Sequence, residues 1–317
     1  MIRRTLVPVA AKGREHLPER QKSWINILFL SLTPVVGILG TAAYAIVFGV
    51  RWWEPTLFVA LFALVSFSVT AGYHRCFAHK AYACHPAVQA FYLFFGAMAL
   101  QNSALKWASD HRDHHRYVDR HWDPYNISRG GLWAHIVWLF YTEAPERTYE
   151  NVSDLQKNRL VRWQFRLNGW IGLIGLAIPA LIGALFGRPV GGLLWGGFLR
   201  IALIHHTTFL VNSFAHLYGT RPYTENSARD NGLLAFFTNG EGYHNFHHRF
   251  PSDFRNGLRW YQWDPTKWLI AVLGFVGLAR NLRKTPTALI QNARLRMKLS
   301  EAEARLREVP EESWAGG

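Results

Sequence analysis

Cysteine is nearly absent: 317 residues contain only Cys76 and Cys84. They share one short segment without metal-site spacing, which excludes a disulfide scaffold and points to a reducing compartment. Acidic residues are also scarce, 21 against 35 lysines and arginines, for a formal charge of +14. That charge would suit nucleic acid or an anionic lipid surface. No basic groove-reading helix is present, so nucleic acid is excluded as a partner. The positive residues flank apolar runs instead, which selects the lipid bilayer. No repeat of solenoid period and no low-complexity tract occurs. The N-terminus is basic but lacks a short apolar core followed by a small-residue cleavage site, so no removable signal peptide is expected.

Charge itself is missing from long stretches. Trp24 to Val50 carries none, enough at about 1.5 Å per residue to cross a hydrocarbon core of about 30 Å. Arg51, Trp52, Trp53, Glu54 and Pro55 make a tight turn with interfacial aromatics, and Thr56 to Tyr73 run back. Gly169 to Gly187 and Gly191 to Val211 repeat the arrangement around Arg188 and Pro189. The pattern predicts an all-α integral membrane protein with four transmembrane helices in two hairpins, capped by a helical histidine-rich domain. Its expected divisions are a basic cytosolic N-terminus (1–23), hairpin one (24–73), a cytosolic region (74–168), hairpin two (169–211), a second cytosolic region (212–286) and a charged tail (287–317).

N-terminal basic residues outnumber the lone Arg51 of the first loop, so both termini are expected in the cytosol. Pro86 to Leu105 is also free of charge over twenty residues, and hydropathy alone would make it a fifth span. Parity argues against a crossing, because it would strand His74 and His79 across the bilayer from His111 to His115. The segment is expected to lie in the interface or against other helices, carrying Gln101 and Asn102 towards the histidines. Arg200, inside the fourth span, is expected to face protein or a polar cavity as a snorkelling or paired structural arginine. Thr287 to Val309 has helix-forming composition. Its basic half could lie on anionic lipid, and its acidic half is expected to be solvated.

Three stretches carry the chemistry. His244, His247 and His248 stand at i, i+3 and i+4, which puts them on one helix face. His111, His114 and His115 repeat that spacing, and His74 and His79 form a looser pair. The last two lie about 140° apart on an ideal helix, so both can face one site only where the helix ends or bulges. His216 follows Asn212 by one turn at the end of the fourth span. Imidazole suits zinc, copper, iron and nickel. Nine histidines are too many for one zinc ion, and two ions fit better. Arg112, Asp113 and Asn245, lying among the histidines, read as partners holding the rings by hydrogen bonds or as surface charges and capping groups. His16, His85, His121, His135, His205 and His206 read as ordinary surface or core histidines.

These residues resemble the membrane fatty-acid desaturases, in the Δ9 acyl-CoA (stearoyl-CoA) desaturase branch. The likeness runs from Ala71 to Trp263 and rests on HRCFAH, DHRDHH and GEGYHNFHH in order, followed by Phe250, Pro251, Ser252 and Asp253. Asn212 to His216 matches a fourth histidine element, and Asp123 with Pro124 a further one. The resemblance implies four membrane helices with a cytosolic di-iron domain. It implies one iron on His74, His79, His111, His115 and His247, and another on His114, His216, His244 and His248, with Asn212 holding a water. It implies that Asn102 and Asp110 contact substrate and that Phe209 lines its path. Animal acyl-CoA enzymes of the family carry arginine at the position of Ser109 and a basic pair at Thr142 and Glu143. Phosphate recognition favours such groups, so CoA, a glycerolipid and a carrier protein all stay open as the acyl carrier.

Removing two hydrogens from unactivated methylenes needs a metal-oxygen oxidant that no side chain supplies. The expected activity is oxidative: a cis double bond, Δ9 by resemblance, in a long-chain acyl substrate, using O2, two irons and two electrons. Ser66 and Phe62 stand two and three i−4 steps from His74 on one helix face, which in the family closes the acyl channel. Phe62 is expected to limit chain length, with lipid-facing packing as the alternative. The chain carries no cytochrome b5-like or ferredoxin-like segment, so a separate donor of that kind is expected. An acyl-lipid desaturase or a hydroxylase is the near alternative, separable by product analysis. A metal transporter would need histidines within the spans, where only His205 and His206 lie.

Overall fold

The computed structural model describes residues 19–144 and 148–307. Arg3, Arg4, Lys12, Arg14, His16 and Val309 lie outside the described residues. Among the described residues the fold is mostly helical and holds four helices long and apolar enough to cross a membrane. These are α1 (Trp24–Phe48), α2 (Trp53–Ala78), α6 (Arg159–Leu185) and α7 (Pro189–Leu217). Between and after them come α3 (Pro86–Ala97), α4 (Ala104–Tyr117), α5 (Gly131–His135), α8 (Gly232–Phe237), α9 (His244–Arg249), α10 (Pro265–Phe275) and α11 (Thr287–Arg307). Two small antiparallel pairings join β1 (Glu19–Lys22) to β3 (Tyr141–Ala144) and β2 (Ala83–Cys84) to β4 (Ala279–Arg280).

Local chemistry sets the boundaries. Ser23 caps α1 by accepting from the Asn26 N–H, and Gly49 ends the helix at φ +69, a conformation glycine adopts without strain. The two hairpin turns are fastened together: Glu54, fully buried, accepts from the Arg51 N–H and faces Arg188 at 3.3 Å. Arg188 also donates to the Gly49 carbonyl. Within hairpin two, Gly192 sits against the backbone of Pro179 and Gly183, where a Cβ would come within 2.1 Å of the Pro179 carbonyl. Small residues let the two helices touch, as membrane packing favours.

Pro86 to Leu105 does not form one span-length helix. Pro86–Ala97 rises about 18 Å at 1.5 Å per residue, too short to cross. Left-handed backbone at Leu100 and Asn102 then turns the chain before Ser103 caps α4. The end of α3 is held by Arg200, which is buried and donates to the carbonyls of Met98, Gly175 and Gly196. This arginine therefore ties α3, α6 and α7 together. It caps carbonyls that water would otherwise have to satisfy.

α6 begins at Arg159, ten residues before the uncharged run at Gly169. Its polar first turns reach the histidine region, where buried Gln164 donates to the Tyr73 hydroxyl and accepts from the Ala104 N–H. One side chain thus sets α2 against the start of α4. In the basic half of the tail, Ile290, Ala293 and Met297 of α11 are buried, with Ile290 and Ala293 packed in a cluster with Tyr223 and Phe246. The helix docks behind α9, while its acidic half stays exposed.

Candidate metal centre

The last turns of α2, from Ser68 to Ala78, wind as a π-helix, and the His79 N–H bonds the His74 carbonyl. An i to i+5 repeat brings residue 79 beneath residue 74, which the α-helical repeat could not do. α4 presents His111, His114 and His115, α9 presents His244, His247 and His248, and α7 ends with His216. The nine rings meet as two groups: His74, His79, His111, His115 and His247; and His114, His216, His244 and His248. In each group the ligand atoms lie within 4.8 Å of one another. These are the groups expected from the resemblance.

Nε2 atoms face inward at close range. His74 to His247 is 2.9 Å, His79 to His111 2.7 Å, and His247 to His115 3.0 Å. In the second group His114 to His248 is 3.2 Å, His244 to His216 3.2 Å and His248 to His244 3.0 Å. Two nitrogens each about 2.1 Å from an ion stand about 3 Å apart at a right angle, so these are the separations of neighbouring donors on one metal. The outer Nδ1 atoms explain why the lone pairs point inward. His74 Nδ1 donates to Glu241 at 2.8 Å, and His114 Nδ1 to both oxygens of Asp123 at 2.8 and 2.9 Å. His111 Nδ1 meets the Tyr125 hydroxyl at 3.1 Å, and His216 Nδ1 meets Ser227 Oγ at 2.6 Å. The carboxylates set the proton on Nδ1 of His74 and His114, and Ser227, whose own hydroxyl donates to Asp119, sets it on His216; each of these rings is left with Nε2 free to bind a metal.

Burial first, and then the neighbouring imidazoles, hold His79, His111, His115, His244, His247 and His248 well below the ordinary histidine value. Neutral rings are the ligating form. The donor set therefore fits two divalent transition-metal ions.

Three cavities with shared walls lie beside this centre. An outer cleft lined by Arg20, Lys106, Pro124, Tyr141 and Glu143 shares Asn26, Asn102, Asp110, Trp138 and Leu139 with a middle cavity. The middle cavity also holds Phe209 and His205, and it shares Trp107, His111, Thr208 and Asn212 with a deep one that ends at Ser66, Val69 and Thr70. Asn212 and His111 thus stand at the junction. Phe62 lines none of the three; it packs beside the Val65, Val69 and Ile204 cluster. Asn239 Nδ2 donates to Ser66 Oγ at 2.7 Å.

Residues 51–281 match the family model for fatty acid desaturase. The chain belongs to the fatty acid desaturase family. It is 38% identical over 285 residues to a probable acyl-CoA desaturase of Schizosaccharomyces pombe, an alignment covering 88% of this chain and 58% of that protein. It is 36% identical over 275 residues to acyl-CoA desaturase 1 of Saccharomyces cerevisiae, covering 86% and 54%. Stearoyl-CoA desaturase of Homo sapiens is 32% identical over 282 residues, covering 86% and 77%. The chain spans little more than half the length of the two yeast relatives.

Against this family background the ring partners are the residues that sequence reasoning missed. Arg112 bonds the carbonyls of Phe77, Ala78 and Asn151 and pairs with Asp154; Asp113 takes Asn151; Asn245 ties Tyr223, Thr224 and Ala228. None of the three bonds a histidine ring in these contacts. Glu241, Asp123, Tyr125 and Ser227 do. Glu241 and Asp123 were visible as motif letters, yet a carboxylate near a histidine reads equally as a cap or a surface charge. Ser109 is buried, its hydroxyl on Asn151, while Thr142 and Glu143 lie on β3 opposite Gln21 and Arg20. His205 donates its Nε2 proton to the Ala99 carbonyl, and His135 bridges His206 and Ser213. His85 caps α3, and His121 is exposed.

Proposed function

We propose that this desaturase-family chain introduces a cis double bond, at Δ9, into a saturated long-chain acyl substrate carried as acyl-CoA. The observation that carries this reading is the meeting of nine imidazoles in two groups, three of which, His74, His111 and His244, line the deep cavity, with His111 lining the middle one as well. His74, His79, His111, His115 and His247 would hold one iron, and His114, His216, His244 and His248 the other, with Asn212 holding a water on the second. Two irons with O2 supply the oxidising power that an unactivated methylene demands. The reaction balances when two C–H bonds break, O2 and two electrons with two protons are consumed, and two waters leave with the alkene.

The remaining work belongs to the chain. An acyl tail extended through both inner cavities presents its middle, not its end, to Asn212 and His111. Phe209 and Trp107 wall the tail and keep water from the reacting carbons. Asn102 and Asp110, shared by the outer cleft and the middle cavity, are placed to meet the polar head of the substrate. Ser66, with Phe62 packed one turn beyond it, ends the channel. The printed names of the relatives support CoA as the carrier. The centre and both termini lie on the cytosolic side, where a separate donor, a ferredoxin or cytochrome b5 with its reductase, delivers electrons.

The test is expression in a desaturase-deficient host followed by mapping of double bonds in its lipids. New unsaturation near the chain centre is expected. No new unsaturation, with iron bound and a reductase supplied, overturns the reading.

A further inference from the structure

The two histidine groups rest on carboxylates of unlike charge balance. In the five-histidine group, Glu241 takes the His74 proton but also accepts from the Arg75 guanidinium at 3.0 and 3.2 Å. Arg75 goes on to Asp264 at 2.9 Å, and Asn256 Nδ2 donates to the second Glu241 oxygen at 2.8 Å. Lys267 caps nearby carbonyls two residues after Pro265 and three after Asp264. Glu241 and Asp264 thus share the Arg75 guanidinium, and Lys267 meets Asp264 through its backbone N–H.

The four-histidine group has no such balance. Asp123 is 1% exposed and gives both oxygens to His114 Nδ1; its other donor is the neutral Tyr125 N–H at 3.2 Å. Among the described residues, its ion pairing is with His114 alone. A second negative charge reaches the group through Ser227, whose hydroxyl joins His216 to Asp119. A buried carboxylate on Nδ1 makes the imidazole a stronger donor, and its charge acts on a nearby ion through a poorly screening interior. Neutralising that carboxylate removes most of the effect.

We propose that the two metal positions bind electrons unequally: the four-histidine position, backed by Asp123, keeps the more oxidised iron, and the five-histidine position, where Arg75 neutralises Glu241, is reduced first. Asp123 is in this sense a positioning and tuning residue that acts through His114. The proposal rests on the reading that both groups hold iron, but not on the chain's activity towards acyl substrates.

The full chain, purified in detergent and loaded with isotopically enriched iron, is reduced stepwise and frozen at intervals for Mössbauer and electron paramagnetic resonance spectra. Two separate one-electron steps with an accumulating mixed-valence species are expected. Asp123→Asn raises the later step towards the earlier and shrinks the mixed-valence signal. Glu241→Gln raises the earlier step and widens the gap, the opposite sign, which a general loosening of the fold would not produce. Ser227→Ala moves the later step in the Asp123→Asn direction by less. Wild-type protein passing from diferric to diferrous without a mixed-valence species overturns the proposal, as does an Asp123→Asn protein in which the earlier step moves. Either failure leaves the lipid double-bond assay untouched.

Discussion

Arg75 Nη2 lies 3.0 Å from Glu241 Oε1, while the other oxygen of Glu241 lies 2.8 Å from His74 Nδ1. Residues adjacent in sequence, His74 and Arg75, thus share one carboxylate from 166 positions away. Burial alone would raise the Glu241 carboxyl, but Arg75 and His74 outweigh it and hold it below the usual carboxylate range. The guanidinium is the only described cation on two buried acids, so its loss leaves both uncompensated.

Arg75→Met is expected to destabilise the protein by about 3–5 kcal/mol, the usual cost of breaking a buried ion pair from one side. Thermal unfolding in detergent measures it. An unchanged melting temperature would show that water or another cation already balances Glu241 and Asp264.

The third histidine stretch depends on a cap supplied from outside it. Asp230 Oδ1 accepts from the Asn245 N–H at 2.8 Å and the Phe246 N–H at 3.0 Å, both in the first turn of α9. Asp230→Ala should cost about 0.5–2 kcal/mol. Burial, countered by those two N–H groups, pushes the Asp230 carboxyl up to about 6. A raised value means that the protonated acid is the favoured folded form: its contribution is full below the ordinary carboxylate range and is lost as pH rises through about 6. Asp230→Asn keeps the acceptor without the charge, so its melting temperature should match wild type only near pH 4 and exceed it by a margin that grows until the pH passes about 6. Parallel curves for the two proteins across that range would refute this.

Metal-free protein should lose stability on mild acidification. The six histidines held low by burial stay neutral in the fold, whereas the unfolded chain takes up protons at the ordinary value near 6.5. The unfolded state then binds more protons, so stability falls with falling pH below about 6.5, by about 1.4 kcal/mol per pH unit for each such ring. Melting curves of chelator-treated protein between pH 8 and pH 5 test this. Iron-loaded protein should hold its melting temperature to lower pH, because bound metal competes with the proton.

Channel length should be readable in the product profile. Ser66 lines the deep cavity, and Phe62 packs one turn beyond it. Ser66→Leu is expected to shift products towards shorter chains, and Phe62→Ala towards longer ones. Gas chromatography of lipids from an expressing host reads both, and a profile indifferent to Phe62→Ala would remove that residue from the account of length.

Much of the architecture is legible without coordinates because it follows from short-range periodicity. Uncharged runs of span length, broken by Arg51 and by Arg188, mark the hairpins, since a bilayer admits little else. The i, i+3, i+4 spacing puts three rings on one helix face whatever surrounds them. Even the bulge at the end of α2 could be inferred, because His74 and His79 cannot share an α-helical face. Parity argued only that Pro86 to Leu105 does not cross; the break after Ala97, with left-handed backbone at Leu100 and Asn102, left no sign in hydropathy.

Tertiary structure alone decided what holds the rings. Tyr125 and Ser227 look like ordinary loop residues, Asp123 and Glu241 stand in the motifs with no sign of which ring they meet, and Arg112 and Asn245, nearer in sequence to the histidines, bond backbone groups and Asp154. A hydrogen bond to Nδ1 needs an atom at about 3 Å in the ring plane, and which loop brings one there depends on the packing of every helix between. The same holds for Arg200, whose three carbonyl partners come from three helices. Composition and spacing determined that this chain gathers imidazoles beside a membrane. The folded packing determined which of those imidazoles rest on a bare carboxylate and which on a neutralised one.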